Sequence, residues 1–246
     1  MGIVLDVQDD GSPRPATRRP SAVLFDFHGT LAQVEDPIVW VQAAAAACGR
    51  ELDRPVATVL ADRLVTAGRA GGPVPYRVPP QLAEAYADRD LYGHTHRAAY
   101  VGLAETVATD VDGLAEALYQ RVLIPEGWQA YEHTVATLAE LRARDVPVVV
   151  VSNIGFDLRP ITEALGFHKY VESYALSYEL GRCKPDPGIF RAACAMLDVE
   201  PERALMVGDT PADAAAIAIG CRAYLLPAAP PGADNGISSV LSLIRD

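Results

Sequence analysis

The sequence predicts an α/β fold: a three-layer, Rossmann-like core on a parallel sheet, with an inserted α-helical cap domain. Three observations predict it. Short, almost wholly apolar runs recur at 22–26, 146–153, 204–209 and 221–226, and a strand buried on both faces reads as such a run. Helical stretches at 134–144, 158–165, 188–197 and 212–219 alternate with them, and that alternation makes βαβ units. Between 36 and 121 the alternation stops and the composition turns helical. A chain of 246 residues, 50% hydrophobic and 22% charged, is long enough for one good core and a smaller second domain.

In chain order, residues 1–20 carry Gly11, Pro13, Pro15 and Pro20 among Arg14, Arg18 and Arg19 and read as a flexible N-terminal tail. The first strand runs to Asp26, so the core domain comprises 21–35 and 122–246. The cap domain, 36–121, holds expected helices at 37–49, with its five consecutive alanines, and at 55–68, 80–93, 95–103 and 111–123. Pro37 suits a first helical turn, and Gly49 and Gly68 suit helix ends. Gly72, Pro73, Pro75, Pro79 and Pro80 make 71–80 a loop. A short strand is expected at 170–177. Right-handed connections complete the three layers.

Several functions are disfavoured at once. A net charge of −11 argues against nucleic-acid binding, which needs a basic footprint. It still allows a local lysine and backbone N–H groups to hold a phosphate. No apolar run reaches the ~18 residues of a membrane span. Asp6, Asp9 and Asp10 stand where a secretory leader would be basic and then apolar, so the chain reads as cytoplasmic. Cys48, Cys183, Cys194 and Cys221 lack metal-ligand spacing and are expected as free thiols.

In an open parallel sheet, ligands gather at the carboxyl ends of the strands. The first strand there brings Asp26 and His28, the second Ser152 and Asn153. Lys184 opens K-P-D-P before the helix at 188, and a later strand brings G-D-T-P-A-D, with Asp209 and Asp213. Each has an ordinary role by itself: Asp26 and Ser152 as turn residues, Asp209 and Asp213 as helix caps, Lys184 as a surface charge. Together they make a phosphoryl-transfer set. Asp26 is a nucleophile or metal ligand, Asp209 and Asp213 offer the hard oxygens that Mg²⁺ prefers, Ser152 binds phosphoryl oxygens, and Lys184 supplies positive charge. His94 and His96, two residues apart, do not share a helical face and are expected on the surface or in packing. Tyr92 and Tyr100 are candidates for the cap pocket.

The order of motifs, D-F-H-G-T at Asp26, S-N at Ser152, K-P-D-P at Lys184 and G-D-T-P-A-D at Asp209 and Asp213, strongly resembles that of the haloacid dehalogenase-like hydrolase superfamily, over residues 21–227. The resemblance implies that Asp26 attacks phosphorus and that water then cleaves the aspartyl-phosphate. It implies Mg²⁺ held by Asp26, the His28 backbone carbonyl and Asp209, with Asp213 as a further ligand or a support. Ser152, Asn153 and Lys184 would bind the phosphoryl group, and the cap would close over it. The expected activity is a small-molecule phosphatase on a phosphorylated substrate, as a monomer or homodimer.

The chain departs from that pattern at His28, where family phosphatases usually have an Asp that protonates the leaving oxygen and then activates water. An imidazole, with a reference pKa of ~6.5, can do both near neutral pH. Three readings stay open: a working acid/base, a site that binds a phosphorylated ligand or partner with poor turnover, or a substrate other than a phosphate ester. Dehalogenases of the superfamily lack the second Asp and need no metal, but Asp209 and Asp213 are kept here. Phosphonate-cleaving members use a Schiff-base lysine from the cap, and 36–121 contains no lysine.

Overall fold

The computed structural model describes residues 3–5 and 19–244. The chain begins with β1 (Ile3–Leu5), β2 (Ala22–Phe25) and β3 (Ala32–Val34). A helical insert follows: α1 (Pro37–Ala47), α2 (Arg54–Ala67), α3 (Ala83–Ala87), α4 (Gly93–Glu105) and α5 (Leu114–Val122). The rest comprises β4 (Trp128–Ala130), α6 (Thr134–Ala143), β5 (Val148–Ser152), α7 (Arg159–Ala164), β6 (Ser173–Leu176), α8 (Ser177–Leu180), α9 (Pro187–Met196), β7 (Ala204–Gly208), α10 (Pro211–Ala214), β8 (Arg222–Leu225) and α11 (Val240–Leu243).

Strands β8, β7, β2, β5 and β6 form a parallel sheet in that order. Its side chains alternate between two apolar layers, as the pleat requires. Val23, Phe25, Val148, Val150, Leu205 and Val207 face a cluster with Leu138, Leu141 and Val240 of α6 and α11. Leu24, Val149, Val151 and Met206 face Ile189, Phe190 and Ala193 of α9. Both faces are covered, which explains why these strands read as continuous apolar runs. Among the described residues no helix is long and apolar enough to cross a membrane.

Four stretches differ from the expectation. Residues 3–5, read as tail, pair antiparallel with β8, Ile3 opposite Leu225; three residues are too few to show a strand period. Residues 1–2 and 6–18 of that tail lie outside the described residues. The helix expected over 80–93 is a 3₁₀ turn, Pro80–Leu82, and the short α3. No residue of α3 is buried, so tertiary packing does not extend it. The helix expected over 212–219 is α10 followed by a 3₁₀ stretch, Ala215–Ile219. Unanticipated altogether is an antiparallel ribbon of β3 and β4, Val34 opposite Trp128.

The insert has its own apolar cluster, with Trp40, Val41, Leu60, Leu64 and Leu118. Ala44 and Ala45, from the alanine run, are buried in it, and their small side chains let α1 lie close to its neighbours. Trp40 Nε1 donates to the Leu118 carbonyl at 3.0 Å. Asp36 and Asp53 cap α1 and α2, accepting from Ile38 and Val56 N–H groups.

The chain enters the insert after β3 and leaves it before β4, so the ribbon ties both crossings together. An ion pair reinforces the tie: Arg121 donates through Nε and Nη2 to the two carboxylate oxygens of Glu35, at 2.7 and 2.9 Å. Glu35 is buried, and removing one partner of such a pair leaves the other uncompensated. Glu35→Ala is expected to cost about 1–3 kcal/mol in urea unfolding, with Glu35→Gln losing less.

Candidate active site

The carboxyl ends of the parallel strands bring the predicted residues together. Asp26 follows central β2, Ser152 ends β5, Asp209 follows β7, and Lys184 stands in the loop before α9. The buried Lys184 ammonium lies 2.7 Å from Asp26 Oδ1 and 2.6 Å from Asp213 Oδ1. Asn153 anchors its backbone at both ends: its amide donates to the Lys184 carbonyl at 2.9 Å and accepts from the Lys184 N–H at 2.6 Å. Asn153 thus reaches the pocket with its amide committed to positioning Lys184.

Asp213 is committed as well. Its Oδ2 accepts from the backbone N–H groups of Asp209 and Thr210, at 3.3 and 3.0 Å, and from the Thr210 hydroxyl at 2.7 Å. This is the capping box that starts α10. Asp209 is different: its Oδ1 is buried and has no hydrogen-bond partner among the described residues. Gly29, at φ +80°, admits that carboxylate, since a Cβ there would lie 2.2 Å from Asp209 Oδ2.

Oxygens of Asp26, Asp209 and Asp213 lie within 4.8 Å of one another, and one ammonium stands against three carboxylates. Burial, with Asp213 and Asp209 adding and Lys184 opposing, pushes the Asp26 carboxyl up to about 7. Burial and then Asp213 push Asp209 up to about 6. Burial alone would depress Lys184, but Asp26 and Asp213 outweigh it and raise its pKa above the ordinary value. A buried, unpartnered carboxylate oxygen in a set of hard donors fits a small divalent cation such as Mg²⁺.

His28 is turned toward β3. Its Nε2 lies 2.6 Å from Gln33 Oε1. The Val34 N–H donates to the same Gln33 atom at 2.9 Å, which marks that atom as oxygen and makes His28 Nε2 the donor. The ring stands edge-on to Trp128, centroids 5.9 Å apart. Burial holds the His28 pKa below its usual value, against the opposing pull of Gln33.

A pocket of about 270 Å³ opens over these groups. Asp26, His28, Ser152, Asn153, Lys184 and Asp209 line one part of it. The insert contributes Gly71, Arg89, Asp90, His96 and Tyr100. His96, expected on the surface or in packing, is buried and lines the pocket. Tyr100 does so too, while Tyr92 is 49% exposed and is not among the lining residues. Nothing in the local sequence singles out Gln33 or Arg89. All four cysteines are free thiols; Cys194 and Cys221, distant in sequence, stand with their sulfurs 4.0 Å apart.

Comparison with known proteins bears on the family and the fold. The "Haloacid dehalogenase-like hydrolase domain-containing protein 3" of Bos taurus is 36% identical over 121 residues, covering 49% of this chain and 47% of that protein. The "Phosphoserine phosphatase" of Thermus thermophilus is 35% identical over 99 residues, covering 40% and 39%. The chain thus spans about half the length, or less, of these curated relatives. A crystal structure of a dehalogenase with an intermediate complex superposes with a TM-score of 0.63 at 21% identity, covering 93% of this chain and 99% of that one; this shows the fold. The sequence profile described as "haloacid dehalogenase-like hydrolase" matches residues 20–219, and with most of its length so matched the chain belongs to the haloacid dehalogenase-like hydrolases.

Proposed function

We propose that the protein is a Mg²⁺-dependent phosphatase of small phosphate monoesters that works through an aspartyl-phosphate on Asp26. The observation that carries this is the Lys184 ammonium held between Asp26 and Asp213 beside the unpartnered Asp209 oxygen. The phosphatase named among the relatives supports it. Lys184 donates to one Asp26 oxygen, which favours the ionised carboxylate and leaves the other oxygen to attack phosphorus. Ser152 and Lys184 receive the phosphoryl oxygens, and Asn153 holds Lys184 in place. A bound Mg²⁺, held by the Asp26 and Asp209 carboxylates and the His28 backbone carbonyl, would neutralise charge between nucleophile and phosphoryl group. Asp213, its oxygens already taken, supports the site by fixing Lys184 and the 209–210 backbone. The helical insert serves as the cap that covers the site and excludes water.

His28 fits one half of the acid–base cycle. Its Nε2 proton is spent on Gln33, and burial shifts its pKa below the usual value, toward the neutral ring. With Nε2 carrying the proton, Nδ1 is the basic atom of the ring, and it suits the activation of water against the aspartyl-phosphate better than donation to the leaving oxygen.

Three outcomes follow. Phosphate release from a panel of monoesters should require Mg²⁺ and fall at least about 10³-fold in Asp26→Asn; equal release by that variant overturns the reading. His28→Asp, which restores a carboxyl able to donate, should speed alkyl esters about tenfold or more while changing p-nitrophenyl phosphate less. Finally, Asp26 and Asp209 bind protons more tightly folded than unfolded, so the metal-free protein should lose stability as pH rises from 3.8 toward about 7. Mg²⁺ competes with those protons, so the rise in Tm that it produces should grow across the same window and vanish in Asp209→Asn. Melting curves at pH 5 and 8, with Mg²⁺ or chelator, measure this.

A further inference from the structure

Resting on the phosphatase reading for its kinetic consequence, we infer that Gln33 is a positioning residue that sets which nitrogen of His28 carries the proton, and that Tyr131 and the segment after β8 hold it in that role. A one-way chain of hydrogen bonds joins the ring to the backbone of that segment. The His28 Nε2 proton meets Gln33 Oε1 at 2.6 Å. Gln33 Nε2 donates to the Tyr131 hydroxyl oxygen at 3.4 Å, and Tyr131 donates to the Ala229 carbonyl at 3.1 Å. A carbonyl only accepts, so Tyr131 commits its one proton to Ala229. The phenol oxygen is left to accept, which turns the Gln33 amide nitrogen toward it and the Gln33 oxygen toward His28. An amide oxygen cannot donate, so the proton between it and the ring sits on Nε2. The Val34 N–H, on the same Gln33 oxygen at 2.9 Å, acts in the same sense. The tautomer is determined from both ends of the amide. A carboxyl at position 28 would need no such device, whereas an imidazole has two distinct nitrogens between which something must choose.

The far end of the chain is itself anchored. Residues 226–237 cross the ribbon of β3 and β4 and return to the turn after β2. The Leu226 N–H donates to the Gly208 carbonyl at 2.8 Å, and the Glu132 N–H donates to the Ala233 carbonyl at 3.2 Å. Gly232, at φ +73°, lies against the ribbon, since a Cβ there would stand 2.2 Å from Gln129 Nε2. Buried Asn235 donates through Nδ2 to the Thr30 carbonyl at 2.9 Å, and its Oδ1 accepts from the Ile237 N–H at 3.2 Å. One segment therefore grips the turn that carries His28 at Thr30 and reaches the His28 ring through Tyr131. Tyr131 is buried as well, and a buried hydroxyl keeps its partners because leaving them unpaired is costly. The haloacid dehalogenase-like profile stops at residue 219, so this brace lies beyond the matched residues.

Ring-nitrogen NMR of the full chain with isotope-labelled histidine reads the tautomer without turnover, His28→Asp identifying the signal. At about pH 8, above the ordinary imidazole pKa of ~6.5, the wild type should show His28 as a single neutral form protonated at Nε2. Gln33→Leu should give both neutral forms in exchange. Gln33→Glu, which still offers the ring an oxygen, should keep Nε2 protonated. Tyr131→Phe should fall between the wild type and Gln33→Leu, and it keeps the test alive if Gln33→Leu fails to fold. In rapid-mixing kinetics with p-nitrophenyl phosphate and Mg²⁺, Gln33→Leu should slow hydrolysis of the aspartyl-phosphate about tenfold or more. The initial burst of p-nitrophenolate, which reports formation of that intermediate, should be unchanged, and Gln33→Glu should recover most of the loss. A wild-type ring protonated at Nδ1 overturns the inference, as does a Gln33→Leu ring identical to the wild type. Equal slowing of both steps overturns it too, since a merely structural defect would do that. A Tyr131→Phe protein indistinguishable from the wild type overturns the part given to the segment after β8. The expected tautomers without phosphate release from any ester would sink the phosphatase reading alone. Turnover with an unmoved tautomer would sink this one alone.

Discussion

One ammonium organises the centre of the molecule. Three carboxylates stand at the ends of adjacent strands and on the helix start beyond them, with oxygens within 4.8 Å of one another, and each raises the cost of ionising the others. Lys184 is the buried cation that bonds two of them. Its position is not left to a flexible side chain alone, because Asn153 clamps the Lys184 backbone on both its N–H and its carbonyl. The loop before α9, the end of β5 and the end of β2 are thus joined through two side chains. Asp213 joins the start of α10 to the same point while satisfying the Asp209 and Thr210 N–H groups. Three carboxylates against one ammonium leave an excess of two negative charges when all are ionised, and that excess is what a divalent cation would relieve.

Much of the core and of this cluster was legible in the sequence for a common reason. Strands buried on both faces appear as unbroken apolar runs, and a polar residue at the end of such a run is conspicuous. Asp26, Ser152 and Asp209 each stand at such an end, and Lys184 and Asp213 follow within short, turn-rich motifs. What the sequence did not show is built from contacts between distant segments. Strand β1 is three residues long. The ribbon of β3 and β4 pairs segments on either side of the whole insert. Gln33 acquires meaning only because His28 turns toward it. Arg89 looks like one more charge in a polar run, and it becomes a pocket residue because the expected helix over 80–93 stops at Ala87 and the following loop folds down onto Gly155. His96, judged by its spacing from His94, pointed to a surface or packing role; it packs against aromatic neighbours from two other segments, and only that tertiary contact shows that it also lines the pocket.

Under the phosphatase proposal, the orientation of His28 bears on how proton transfer is divided in the site. A carboxyl at this position could both give and take a proton at one atom. The imidazole here has its Nε2 proton tied down by an acceptor that the Val34 N–H holds in turn, which leaves Nδ1 as the basic atom of the neutral ring. Departure of the leaving group then depends more heavily on the substrate itself and on the positive charge around it. The insert brings Arg89 and Asp90, paired at 3.6 Å, to the same pocket. Under the phosphatase proposal, the esters this arrangement suits are those whose leaving oxygen departs with little acid assistance.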